Sequence, residues 1–209
     1  KFSNIKKNIN KIFKETQNFG LHIYTGVISG VATKHLGGIM VAFYLDTINV
    51  GYFALAKTIT MPLELIPAAI GTTYYKDFVK LKEIPSKVFR FSIFCSIIFL
   101  VLYLFCIKYI FLFLYTDKFI PAMPLVYILA FAHILRGFGF LINKFLGAKG
   151  QGKTLRNIAM IVGISYVVGF SVFIKYFGLI GAAITVLISY LIYTFLLYYN
   201  YKKYFKNAI

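Results

Sequence analysis

Apolar runs long enough to cross a bilayer alternate along the chain with short clusters of lysine, proline and glycine. A helix needs about 20 mostly apolar residues to span the hydrocarbon core. The pattern predicts six such helices, over residues 19–46, 50–76, 86–115, 121–146, 155–177 and 179–201. A basic lead-in, 1–18, precedes them, and a short basic tail, 202–209, follows. The third run begins after Pro85, and the fourth follows Pro121 and Pro124. The fifth and sixth meet at Tyr176-Phe177-Gly178-Leu179, which predicts a tight turn. The expected fold class is an all-α integral membrane protein built as a six-helix transmembrane bundle.

The second run stands apart from the others. From Asp46 to Phe78 it reads DTINVGYFALAKTITMPLELIPAAIGTTYYKDF, with Lys57 and Glu64 inside the span and Pro62 and Pro67 five residues apart. Ionisable groups at membrane depth are costly to bury, so they face a partner or a water-filled cavity. On a regular helix Lys57 and Glu64 share a face, about 10 Å apart along the axis, which is too far to pair directly. Both are therefore expected to look into the same wet space, with Thr60 between them. Pro62 and Pro67 each remove a backbone donor and kink the helix. A hinge for alternating access is the functional expectation for the pair; a static bend is the plainer one.

Composition strengthens the membrane reading. The chain has 209 residues, 60% hydrophobic and 19% aromatic, with a mean hydropathy of +0.78, well beyond an ordinary soluble domain. A formal charge of +17 raises the question of nucleic acid, but binding there needs a basic soluble face. Here the cations punctuate apolar runs, and topology explains them. One side collects Lys1, Lys6, Lys7, Lys11 and Lys14; Lys76, Lys80, Lys82, Lys87 and Arg90; Lys144, Lys149, Lys153 and Arg156; and Lys202, Lys203 and Lys206. The other has Lys118 and Lys175, with Lys108 nearby, and its first loop holds only Asp46. By the positive-inside rule the rich side is cytoplasmic, so both ends of the chain are expected there. No cleavable signal peptide is read at the start, and the first residue, Lys1, suggests an excerpt of a longer protein.

Three cations, Lys34, Lys57 and Arg136, fall inside spans and are not explained by topology. Arg136 lies about 21 Å from the outer end of its helix near Ala122. Its guanidinium stays charged and is shaped for phosphate or carboxylate. Lys34 sits at comparable depth, so the two are candidates to line one basic cavity; the alternative is that each pairs with Glu64 or a helix carbonyl and serves assembly. His35 and His133 are candidates for a proton relay, against the simpler role of hydrogen-bonded core histidines. No spacing resembles a metal site.

Other features carry less. Cys95 and Cys106 lie about 16 Å apart along one helix and cannot bridge. Residues 147–154 read GAKGQGKT, which fits the phosphate-loop pattern. That motif needs a strand before it and a soluble α/β fold around it, so a coincidental glycine-lysine loop is expected. The six acidic residues, Glu15, Asp46, Glu64, Asp77, Glu83 and Asp117, form no paired constellation, and no enzyme chemistry is expected. With no Trp, Tyr and Phe take the interfacial role. Gly137, Gly139, Gly178 and Gly181 are expected to serve close helix packing.

The second run, with Asp46, Val50-Gly51-Tyr52-Phe53, Leu55-Ala56, Pro62, Ile66-Pro67 and Tyr75 to Phe78, resembles the seventh-to-eighth helix region of Wzx-type polysaccharide flippases. These belong to the superfamily that includes the lipid II flippase and the MATE drug antiporters. DKFIPAMPLVYILAFAHIL is similar to the family's loop and tenth helix, FLGAKGQGKTLRN to its tenth-to-eleventh cytoplasmic loop, and FGLIGAAITVLISY to its twelfth-helix start. The resemblance implies the C-terminal lobe of a two-lobe transporter in a bacterial or archaeal cytoplasmic membrane. It would move an undecaprenyl-diphosphate-linked oligosaccharide outward for surface polysaccharide such as O-antigen. It implies no cofactor beyond a coupling ion, H⁺ or Na⁺, and makes membrane lipid, the lipid-linked oligosaccharide and the absent N-terminal lobe the partners, with no nucleic acid. Arg136, Lys34 and Lys57 would face the diphosphate of the cargo. Competing readings are a MATE-like small-molecule antiporter and a non-catalytic membrane subunit of a glycan-assembly complex.

Overall fold

The computed structural model describes residues 20–115 and 117–207, with residues 8, 9, 13 and 16 ahead of them. Seven α-helices fill the continuous part: α1 Leu21–Tyr44, α2 Thr47–Thr60, α3 Leu65–Thr73, α4 Tyr75–Lys80, α5 Ser86–Leu114, α6 Met123–Ala148 and α7 Gly152–Asn207. Two 3-10 segments, Met61–Glu64 and Asp117–Ala122, join α2 to α3 and lead into α6. No strand occurs among the described residues. Four helical stretches, Thr47–Thr73, Ser86–Phe113, Lys118–Ala148 and Gly152–Phe205, are long and apolar enough to cross a membrane. In α1 the apolar stretch found among the described residues is His35–Tyr44.

The corner between α1 and α2 is made by one side chain. Asp46 caps α2: its Oδ1 accepts from the Asn49 backbone N–H at 2.7 Å and its Oδ2 from the Asn49 side-chain amide at 2.8 Å. An aspartate in this place satisfies a donor that the first helical turn leaves open. The helix therefore starts at Thr47, earlier than the apolar pattern alone suggests.

Pro62 then ends the regular geometry. With no N–H to offer, it sits at the head of the 3-10 turn Met61–Glu64, and α3 resumes at Leu65. A 3-10 turn advances about 120° per residue against 100° in an α-helix, so four residues carry Glu64 about 80° farther round the axis. The turn thus separates Glu64 from the face that Lys57 occupies. A carbonyl at the bend is also claimed from outside, because the Tyr103 hydroxyl of α5 donates to the Ile59 carbonyl at 3.1 Å. We expect Tyr103→Phe to cost about 1 kcal/mol, the worth of one such bond, read as a shift in the unfolding midpoint of the purified protein. An unchanged midpoint would show that the carbonyl finds another donor.

The core gathers on α6. More than half of its apolar stretch, 56%, is buried inside the protein, against 11% for α5. Five fully buried phenylalanines, Phe53, Phe78, Phe111, Phe145 and Phe170, come from α2, α4, α5, α6 and α7. Phe145 meets Phe78 at 5.5 Å between ring centroids and Tyr201 at 5.2 Å. The Tyr201 hydroxyl in turn accepts the Ile84 N–H at 3.2 Å, tying the segment before α5 to the end of α7. Large apolar side chains on the outside, such as Phe43, Phe105 and Phe113, suit a surface whose solvent is lipid.

Helix α7 is 56 residues long, but Gly178 interrupts it at φ 56° and ψ −135°, a conformation that glycine adopts without steric cost. The side-chain pairs across the interruption give its shape. Ser165 Oγ lies 3.0 Å from Ser189 Oγ, the Tyr166 and Tyr190 rings are 6.1 Å apart, Gly169 faces Thr185, and Gly181 rests on the Phe173 carbonyl. Each pair is centred on residue 177 or 178. The two arms, 152–177 and 179–207, are therefore antiparallel and turn at a single glycine.

The segment that fits the phosphate-loop pattern is a helix end followed by a helix start. Gly150 has φ 72°, its N–H donates to the Gly147 carbonyl, and the Gln151 N–H donates to the Leu146 carbonyl. These two bonds form the Schellman arrangement that closes a helix. The element before the pattern is α6, and the strand that a phosphate loop requires does not precede it.

Candidate functional site

The 3-10 turn delivers Glu64 to α6. Its Oε2 lies 2.9 Å from His133 Nδ1, and Arg136 Nη1 donates to both carboxylate oxygens at 2.8 Å. His133 and Arg136 are three residues apart on α6 and so present to one side of it. Gly137, the next residue, explains how the helices come this close. A Cβ there would collide with the Pro67 ring and stand 3.0 Å from the Glu64 carbonyl oxygen. Glycine at 137 and proline at 67 thus allow the backbone of the turn to lie directly on α6.

The three side chains differ in exposure. His133 is 1% exposed, Glu64 12% and Arg136 32%. His133 Nε2 is buried with no hydrogen-bond partner among the described residues. The second arm of α7 covers the cluster with Tyr190, whose ring centroid is 5.2 Å from the Arg136 guanidinium carbon and 5.8 Å from the His133 ring. An arginine over a tyrosine face gains cation–π attraction, and the tyrosine limits where the guanidinium can swing.

Beyond Arg136 opens a cavity of about 390 Å³ between α1, α6 and the two arms of α7. Gly26 and Gly30 of α1 form one wall, Phe140 and Asn143 of α6 another, and Tyr166, Tyr190 and Tyr193 the third. Arg156, in the first turns of α7, also lines the cavity. Its Nη2 donates to Asn157 Oδ1 at 3.0 Å. The chemistry on offer is two guanidiniums, aromatic faces and an amide.

Of the residues singled out by sequence, the structure brings Glu64, His133 and Arg136 together. Lys57, half-buried on α2, does not line the cavity. Thr60 is fully buried and returns its hydroxyl to the Ala56 carbonyl at 2.7 Å. His35 is exposed on α1, apart from His133. Lys34 belongs to α1, and its side chain lies outside the described residues. Pro62 starts the 3-10 turn and Pro67 packs on Gly137. Among the described residues no group of three His, Cys, Asp or Glu side chains is placed to hold a metal ion.

Sequence reasoning missed Arg156, which topology had absorbed, and the tyrosines of α7. A signal for the latter exists: Tyr166, Tyr190 and Tyr193 sit in the middle of apolar runs instead of at their ends, where interfacial tyrosines belong. Comparison with family models, with curated proteins and with solved structures finds no match to this chain.

Proposed function

We propose that the chain is one lobe of a lipid-linked oligosaccharide flippase of the Wzx type, crossing the membrane six times when the arms of α7 are counted separately. The observation that carries this reading is the cavity lined by both Arg136 and Arg156 together with Tyr166, Tyr190 and Tyr193. Guanidiniums suit phosphoryl oxygens, and aromatic faces with an amide suit a sugar or other amphipathic headgroup. The cations inside the cavity argue against a carrier of small cations. On this reading both ends of the chain are cytoplasmic, in a bacterial or archaeal inner membrane. A second lobe faces the cavity, and H⁺ or Na⁺ is the coupling ion.

The test is made in a strain whose surface glycan depends on the full-length protein. Arg136→Ala is expected to abolish the glycan while the protein still reaches the membrane. Normal glycan in that strain would remove the cationic cavity from the mechanism and favour a non-transporting membrane subunit.

A further inference from the structure

The donors of Arg136 are unequally used, and the inequality says how an anion would dock. A guanidinium offers five N–H donors in a rigid fork. Glu64 takes both of its contacts from one nitrogen, Nη1, where the usual carboxylate pair grips two nitrogens in parallel. Nε and Nη2 have no hydrogen-bond partner among the described residues, and Arg136 lines the cavity. The carboxylate is held in this arrangement by His133 Nδ1, 2.9 Å from its Oε2, and by the Glu64 backbone lying against Gly137. The Tyr190 ring restricts the guanidinium from the side.

We propose that Glu64 and His133 are positioning residues that hold Arg136 by one nitrogen and present its Nε–Nη2 edge to the cavity as a two-point site for a phosphoryl group. The ligand is an anion with two oxygens in one plane, either a lipid-borne diphosphate or a free phosphate compound. The inference rests on the transport reading only for its assumption that the cavity takes an anionic ligand. Glu64 serves here as a brace: its charge balances Arg136 at rest and fixes which edge is offered. The alternative, in which Glu64 is a resident competitor for the fork, makes the opposite prediction for its removal.

The experiment uses the full-length protein in nanodiscs, with inorganic pyrophosphate and farnesyl diphosphate as probes followed by calorimetry. Arg136→Lys keeps the charge and a partner for Glu64 but loses the fork. It is expected to weaken both probes at least about tenfold, whereas chloride binding stays within about threefold. Glu64→Ala is expected to weaken them about tenfold by releasing the fork, and Glu64→Gln, which keeps an acceptor for Nη1, to restore most of that loss. Thermal unfolding of each variant separates loss of the site from loss of the fold. If Glu64→Ala fails to fold, the Arg136→Lys arm decides alone. Tighter binding in Glu64→Ala would identify a competitor and overturn the proposal, as would undiminished binding in Arg136→Lys. If the unmodified protein binds neither probe, the anionic-ligand reading itself fails. Preference for farnesyl diphosphate assigns the anion to a lipid headgroup, and equal affinity assigns it to a free phosphate compound.

Discussion

Gly181→Ala is expected to open the α7 hairpin. A methyl group at 181 would be driven into the Phe173 carbonyl, which is backbone and cannot rotate away as a side chain would. Overfilling a packed contact costs about 1–3 kcal/mol when side chains yield, and the cost here should lie above that range. The arms are also joined by Ser165 and Ser189, whose hydroxyl oxygens are 3.0 Å apart, so the consequence is directly visible. With Cys95 and Cys106 replaced by serine, a Ser165→Cys/Ser189→Cys pair should form a disulfide across the arms. Adding Gly181→Ala should sharply reduce its yield along with the amount of folded protein. Equal cross-linking in both backgrounds would mean that the arms accommodate the methyl by sliding, and that the close approach at Gly181 does not set their spacing.

The second large effect is expected from the ion pair. Arg136→Met leaves the Glu64 carboxylate, 12% exposed, with His133 as its remaining partner among those shown. Losing one member of a fully buried pair costs about 3–5 kcal/mol; with Arg136 32% exposed and His133 still beside the carboxylate, the cost here should lie at or below the lower end, about 3 kcal/mol. Arg136→Met with Glu64→Gln removes both charges and keeps an amide oxygen for His133 Nδ1. It should recover most of the stability, since a buried pair replaced by neutral groups of similar volume is often neutral to the fold. On the proposed flippase reading, glycan export should not recover with it. Recovery of both properties would show that the pair serves the fold alone, and a double variant as unstable as the single one would mean that Arg136 acts chiefly through its packing on Tyr190.

The all-helical character and several boundaries were legible because those boundaries have a local chemical cause. Pro85 precedes α5, the Gly147–Gly150 segment ends α6, and Gly178 marks the turn within α7. The prolines of the second run also announced a bend. What could not be read was the kind of bend. A proline kink and a 3-10 turn carry the same sequence signal, yet they differ by about 80° in where Glu64 points. That rotation moves Glu64 from the face shared with Lys57 to α6, where Arg136 and His133 await it. The rest of the cavity was illegible for a related reason. Tyr166 and Tyr190 are distant along the chain and become neighbours because α7 folds back on itself, and Arg156 is indistinguishable in sequence from the lysines around it until α1 is packed against it. Local chemistry dictates the elements, whereas the site depends on contacts between them.

A hairpin that reverses at one glycine, with no loop, has no slack. Its arms are fastened by Ser165 and Ser189, by Gly169 against Thr185, and by Gly181 on the Phe173 backbone, so they cannot rock separately without breaking several of these fastenings at once. Any opening and closing of this cavity must therefore carry α7 as a single lever. Its pivot would be at the Gly150 turn before the first arm. Tyr166 and Tyr190 would travel together, and the mouth of the cavity would change shape against α1 and α6 while the tyrosine wall kept its own.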